Sequence, residues 1–180
     1  MRNEYNVLGD YAEIILNRKN GMKLKALVDI EDIEVLLKIQ TTWVSQYSPL
    51  TKSYYVVANS KKENGKRTKL ILHRIIMNTE KGMIVDHINH DTLDNRKQNL
   101  RLVTQSENQE NRLGATRKSK TGIRNVSYHK TSGLWVVVIG RNNKRVCLGH
   151  FKTLEEAEKV AIEGRKKLMK FAPECDDIGA

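Results

Sequence analysis

The sequence predicts an α+β protein made of successive small blocks, and three observations carry that prediction. Strand-like stretches come in groups that a helix closes, which is the order of an α+β chain. Hydrophobic residues make up 39% of the 180 and aromatics only 6%, a balance that favours several thin aliphatic layers over one deep core. Two Thr-x-x-Glu capping boxes, Thr104 with Glu107 and Thr153 with Glu156, mark the starts of two helices. The expected division is an accessory α+β region over 1–69, a strand–loop–strand–helix block over 70–113 and a basic linker over 114–121. A sheet-and-helix domain over 122–172 and a tail over 173–180 complete it.

In the first block, 11–16 and 23–28 read as strands joined by a loop ending in Asn20-Gly21. Asp29 looks like an N-cap, and Ile30, Ile33, Leu36 and Leu37 follow at helical spacing. Strands resume at 43–47 and 54–58, and the lysine-rich stretch 60–67 with Gly65 is a loop. In the second block, 70–78 is a short apolar segment holding His73 and Arg74. Strands at 85–88 and 100–103 flank a loop dense in Asn and Asp, and the helix capped by Thr104 stops before Gly114. In the third, strand candidates at 124–130, 134–139 and 144–148 are separated by turns at Gly133 and at Gly140-Arg141-Asn142-Asn143. Leu154, Ala157, Val160, Ala161, Gly164 and Leu168 then form the apolar stripe of a helix covering one sheet face, leaving the other face free and basic.

Charge says most about partners. Lys plus Arg is 32 against 21 Asp plus Glu, a net +11, which points to a polyanion. The excess is uneven: net −1 over residues 1–50, +5 over 51–112 and +7 over 113–180. No carboxylate occurs between Glu110 and Glu155, a stretch that carries Arg117, Lys118, Arg124, Arg141 and Arg145 among other bases. A nucleic-acid surface is expected there. No apolar run is long enough for a membrane span or a signal peptide, so a cytoplasmic protein is expected. Cys147 and Cys175 are too few and too far apart for a zinc knuckle, so no structural zinc is expected.

One constellation carries chemistry. Asp86-His87-Ile88-Asn89, Asn99 and Asn108 place a carboxylate, an imidazole and amides on two strands and the helix after them. Oxygen ligands suit a hard cation such as Mg²⁺, and a neutral imidazole beside it can take a proton from water. Neighbours on a regular strand point to opposite faces, so Asp86 and His87 share a cleft only if the strand ends or bulges there.

These residues, with Leu72-His73-Arg74, Leu93-Asp94-Asn95-Arg96, Asn99-Leu100-Arg101 and Ser106-Glu107-Asn108, resemble the HNH endonucleases of phages and mobile introns. The resemblance implies a ββα-metal nuclease core, with His87 as general base and Asn99 orienting it or steadying the hairpin. Asp86 and Asn108 would hold one divalent ion, Mg²⁺ or Mn²⁺. Arg124 through His129, Leu134-Trp135, Arg145 through Phe151 and Thr153 through Ala157 resemble the APETALA2-type DNA-binding domain, a three-stranded antiparallel sheet packed on one helix. That likeness makes Arg124, Ser127, His129, Trp135 and Arg145 candidate DNA contacts. Asn125 stands where the family usually has Gly, a swap that Asn tolerates in a left-handed backbone.

Several readings stay open. His73 with Arg74 either touches phosphate or sits satisfied under the hairpin, and Trp135 divides between a sheet-face contact and core packing. Arg112, four residues after Asn108, could grip the cut strand. The function expected is a metal-dependent, site-directed DNA endonuclease of the homing kind, nicking or cutting both strands, in a bacterial or phage-infected cell. The alternative is a catalytically inactive, sequence-specific DNA-binding regulator. Double-stranded DNA is the expected partner, with no membrane and no small-molecule substrate. The oligomeric state is open, with a monomer preferred.

Overall fold

The computed structural model describes residues 1–60, 66–80, 82–141 and 144–174. The centre of the loop expected over 60–67, the Asn142-Asn143 turn, Cys175 and most of the tail lie outside the described residues. The chain forms two compact units, Met1–Val103 and Thr104–Ala180. The division falls at neither 69/70 nor 113/114, because residues just past 69 complete a sheet and a core begun in the first block.

In the first unit, β1 (Tyr5–Leu8), β2 (Tyr11–Asn17) and β3 (Lys23–Asp29) form an antiparallel sheet in that order. Strand β1 gives little sequence signal, because all of it except Tyr5 is exposed and it is held by backbone pairing to β2. A 3₁₀ turn (Ile30–Asp32) leads into α1 (Ile33–Lys38). The Asp29 side chain makes no capping bond there. Its Oδ2 accepts instead from the Lys97 backbone N–H at 2.7 Å, a long-range partner invisible to a local capping rule. A second antiparallel sheet follows, β4 (Val44–Ser48), β5 (Ser53–Asn59) and β6 (Lys69–Ile71), and the one-turn helix α2 (Leu72–Ile76) continues directly from β6. Strands β7 (Ile84–His87) and β8 (Leu100–Val103) pair as an antiparallel hairpin.

One core joins these pieces. Ile14 and Leu16 of β2, Val28 of β3, Leu36 of α1, Trp43, Val56 of β5 and Leu72 of α2 are buried together, so the accessory block and the start of the second block share one apolar interior. Trp43 is held by Asn3, whose Nδ2 donates to the Ile15 and Trp43 carbonyls and whose Oδ1 accepts from the Trp43 N–H.

In the second unit, α3 (Gln105–Glu110) opens on Thr104, and both bonds of its capping box are present. Residues 114–121 contain no regular helix or strand. Strands β9 (Val126–His129), β10 (Leu134–Arg141) and β11 (Lys144–Phe151) form an antiparallel sheet in the order β11-β10-β9. Helix α4 (Leu154–Leu168), with its own complete capping box at Thr153, lays Ala157 and Ala161 on Val126 and Val137. Gly164 belongs to the same contact: a Cβ there would stand 2.8 Å from Ile139 Cδ1 and closer still to Leu148. Asn125 has φ +69°, the left-handed conformation that Asn tolerates.

Candidate active site

The hairpin is short and regular. Asp86 pairs with Arg101 and His87 with Leu100, and β7 ends at His87. The strand therefore stops where two neighbouring side chains must diverge. On one face the Asp86 Oδ2 receives the Arg101 Nε at 3.0 Å. On the other, His87 is only 5% exposed and packs edge-on against His73 of α2, ring centroids 5.0 Å apart, and against Tyr55 of β5 at 6.3 Å.

Burial governs the electrostatics of this pair. Loss of water pushes the His87 imidazole below its ordinary value of 6.5, against the opposing pull of Asn95, Asp86, Asp91 and Asp94. His73, buried beside it and facing Arg74, is lowered further, to about 3. Both rings are therefore neutral at physiological pH. The His87 Nε2 lies 3.4 Å from Asn95 Oδ1. Asn95 donates its own Nδ2 to the Leu93 carbonyl, so its Oδ1 faces the ring as an acceptor. An acceptor at that position suits the tautomer that carries the ring proton on Nε2.

The loop between the strands is built from outside the hairpin. Asn99 is buried; its Oδ1 accepts from the Asn89 N–H at 2.9 Å and its Nδ2 donates to the Asp94 carbonyl at 2.8 Å. It steadies the loop, and none of its hydrogen bonds goes to His87. The loop is tied to β3 by one isolated parallel bridge, with Leu27 N–H to Leu93 carbonyl at 2.9 Å and Asn95 N–H to Leu27 carbonyl at 2.8 Å. Thr92 Oγ1 donates to the Tyr54 carbonyl. Asp94 takes Arg96 through both carboxylate oxygens, which holds the Asp94 carboxyl below the usual carboxylate range despite its burial. Asp94 and Asn95 thus shape the loop.

The remaining expected residues are distributed as follows. Arg74 is exposed on α2. Asn108, half-buried on α3, and Arg112, exposed just beyond it, belong to the second unit. In that unit's sheet, cross-strand pairs share a face. Trp135 pairs with Tyr128 and Phe151, and Trp135 and Phe151 pack in the core beneath α4. Trp135 is therefore corrected from a DNA contact to a partly buried residue packed against the core, its ring tilted 56° to that of Tyr128 with centroids 4.8 Å apart. Ser127, which pairs with Val136, and His129, which pairs with Leu134, lie on the opposite face, as does Arg145 opposite Gly140. All three are exposed.

Arg124 is also corrected. It is 7% exposed, with Nη1 donating to the Glu110 and Arg112 carbonyls at 2.8 Å and Nη2 to the Gln109 carbonyl at 3.0 Å. Its guanidinium is consumed inside the protein, which a likeness in strand position does not reveal. A groove of about 310 Å³ in the same unit is lined by Arg112, Thr116, Lys118, Ser119, Arg124 and Ser127, bringing three of the expected contacts to one concave surface, although the Arg124 guanidinium is bonded to backbone carbonyls.

Taken separately, the Asp86 carboxylate of the first unit and the Asn108 amide oxygen of the second are each hard oxygen donors of the kind that Mg²⁺ or Mn²⁺ takes, and the charge of Asp86 is already partly answered by Arg101. Asp29, Glu31 and Asp32 also cluster closely enough for a cation, but Lys97 bridges Glu31 at 2.6 Å and Asp32 at 2.9 Å and supplies the positive charge itself.

A family model described as HNH endonuclease matches residues 71–110. The match supports an HNH nuclease. It runs from the last residue of β6 through α3 and takes in Asp86, His87, Asn99 and Asn108. HNH nucleases act on DNA and generally use a divalent metal, and the match supports that kind of activity for this stretch. No curated protein and no solved structure matches the chain. Tyr55 is the site residue that sequence reasoning missed, and Arg101 and Asn95 stood in the quoted motifs without a partner assigned to them. Counting the hairpin register back from Asn99 would have found Arg101, whereas Tyr55 is contributed by a strand far away in the chain.

Proposed function

We propose that the protein is a metal-dependent, site-directed DNA endonuclease of the homing kind, with an APETALA2-like sheet gripping the target. The carrying observation is His87 at the end of β7, its imidazole held by burial below its ordinary value, inside the stretch that matches HNH endonucleases; Asp86 precedes it in the chain and faces the other side of the hairpin. His87 Nδ1 accepts the proton of the attacking water while Asn95 holds Nε2–H. Asp86 of the first unit and Asn108 of the second are each proposed as an oxygen donor to a divalent ion. Such an ion supplies positive charge to the departing 3′ oxygen. Arg112 and Arg74 are proposed to hold phosphates, and Ser127, His129 and Arg145 to contact the duplex.

The test is incubation of supercoiled target DNA with Mg²⁺ or Mn²⁺, reading nicked against linear product. His87→Ala is expected to slow cleavage by about 10²- to 10⁴-fold, the usual worth of a general base, and equal rates for the variant and wild type overturn the mechanism. The second reading, a DNA-binding regulator that does not cut, is favoured by the Arg101 contact on Asp86 and the burial of His87. It predicts salt-sensitive binding with no metal-dependent strand breakage.

A further inference from the structure

We propose that Arg124 is a positioning residue for Asn108: it clamps the C-terminal end of α3 to the sheet of the second unit and so fixes the helix that bears this side chain. This rests on the reading of Asn108 as a metal ligand. Helix α3 has only six residues, too few for its own hydrogen bonds to hold it against fraying. Its first turn is closed by the Thr104 capping box. The last carbonyls of any helix lack partners within the helix. Here the carbonyls of Gln109, Glu110 and Arg112 all converge on one guanidinium, whose planar fork reaches several acceptors at once, as a lysine ammonium does not.

The clamp is itself anchored. The Arg124 carbonyl accepts from Arg165 Nη1 at 3.0 Å, and Arg165 is paired with Glu174. Glu110, the last residue of α3, adds two more ties: Oε1 to Arg141 Nε of β10 at 3.0 Å, and Oε2 accepting from the Phe171 N–H at 3.2 Å. Burial lowers the Arg124 guanidinium to about 10, so it remains charged at neutral pH. The helix bearing Asn108 is thereby built into the same unit as the candidate DNA-binding sheet. A displacement of about 1 Å in a positioned group costs on the order of 10²-fold in rate.

The experiment compares wild type, Arg124→Met and Arg124→Lys as full chains. Its three measurements are amide exchange over residues 105–112, DNA affinity in EDTA, and cleavage rate against Mg²⁺ concentration. In Arg124→Met, exchange protection is expected to fall over 105–112 while β10 stays protected, with DNA affinity within about threefold of wild type. Cleavage should drop by about 10- to 100-fold, and the Mg²⁺ concentration for half-maximal rate should rise. Arg124→Lys should fall between the two. If Arg124→Met also loses protection in β10, the milder Arg124→Lys decides, on the same readouts. Unchanged protection and metal dependence overturn the proposal, as does a loss of cleavage that only tracks lost DNA affinity, which would make Arg124 a DNA contact. A wild-type chain that cuts nothing overturns the nuclease reading and the positioning role together. A cutting wild type with unaltered variants overturns the positioning role alone.

Discussion

The two buried imidazoles give the molecule a pH dependence that can be stated in advance. Folded His73 titrates at about 3 against 6.5 for an ordinary histidine, so the unfolded chain takes up the proton first. Stability is then complete above about pH 6.5, and about 1.4 kcal/mol is lost per pH unit as pH falls from there toward 3. His87 is shifted in the same direction and adds to the loss. The Nδ1 of His73 is buried without a hydrogen-bond partner, so His73→Phe should preserve stability at pH 7 within about 1 kcal/mol and flatten the acid limb. Denaturant midpoints at pH 5 and pH 7 check this; an unchanged slope would assign the acid sensitivity elsewhere. Cleavage, for its part, should keep its acidic inflection below about pH 6.5, and a pH–rate profile reads it directly.

At the scale of the elements, what was legible followed short-range rules. Both Thr-x-x-Glu boxes, the strands on either side of the Asn-rich loop and the stripe of α4 rest on spacing within a few residues. Partners distant in sequence were not legible. Asp29 leaves its helix to hold Lys97, Arg124 turns inward to α3, and Tyr55 walls His87 from another sheet, and nothing near those residues announces it. The loop staple and the close helix–sheet contact each yield a test. Asn99→Ala removes one buried and one part-buried hydrogen bond to the backbone and should cost about 2 kcal/mol in thermal or denaturant stability, with faster amide exchange over 88–95. Gly164→Ala gains about 1 kcal/mol of helix propensity but drives a methyl into Leu148 and Ile139, so overpacking of about 1–3 kcal/mol should leave a net loss. A raised melting temperature for Gly164→Ala would show that those side chains yield freely.

For the whole molecule, charge and chemistry are unevenly shared along the chain. The first fifty residues carry a net −1 and the last sixty-eight a net +7, while His87 belongs to the first unit and the exposed Arg145 to the second. Binding should therefore weaken as salt rises, and Arg145→Ala should weaken it across sequences and reduce the slope of log K against log salt by about 1. A slope unaltered by that change would remove Arg145 from the phosphate contacts.

The loop carrying Asp91 to Asn95 completes its backbone pairing only by lying along β3, and Thr92 leans on the strand that bears Tyr54. A transplant of the matched forty residues into a foreign scaffold would therefore arrive with unmet amide groups and an imidazole stripped of its aromatic shelter. The smallest self-sufficient form of this block is larger than the stretch that the family model matches, and any shortened version has to carry the opening sheets along.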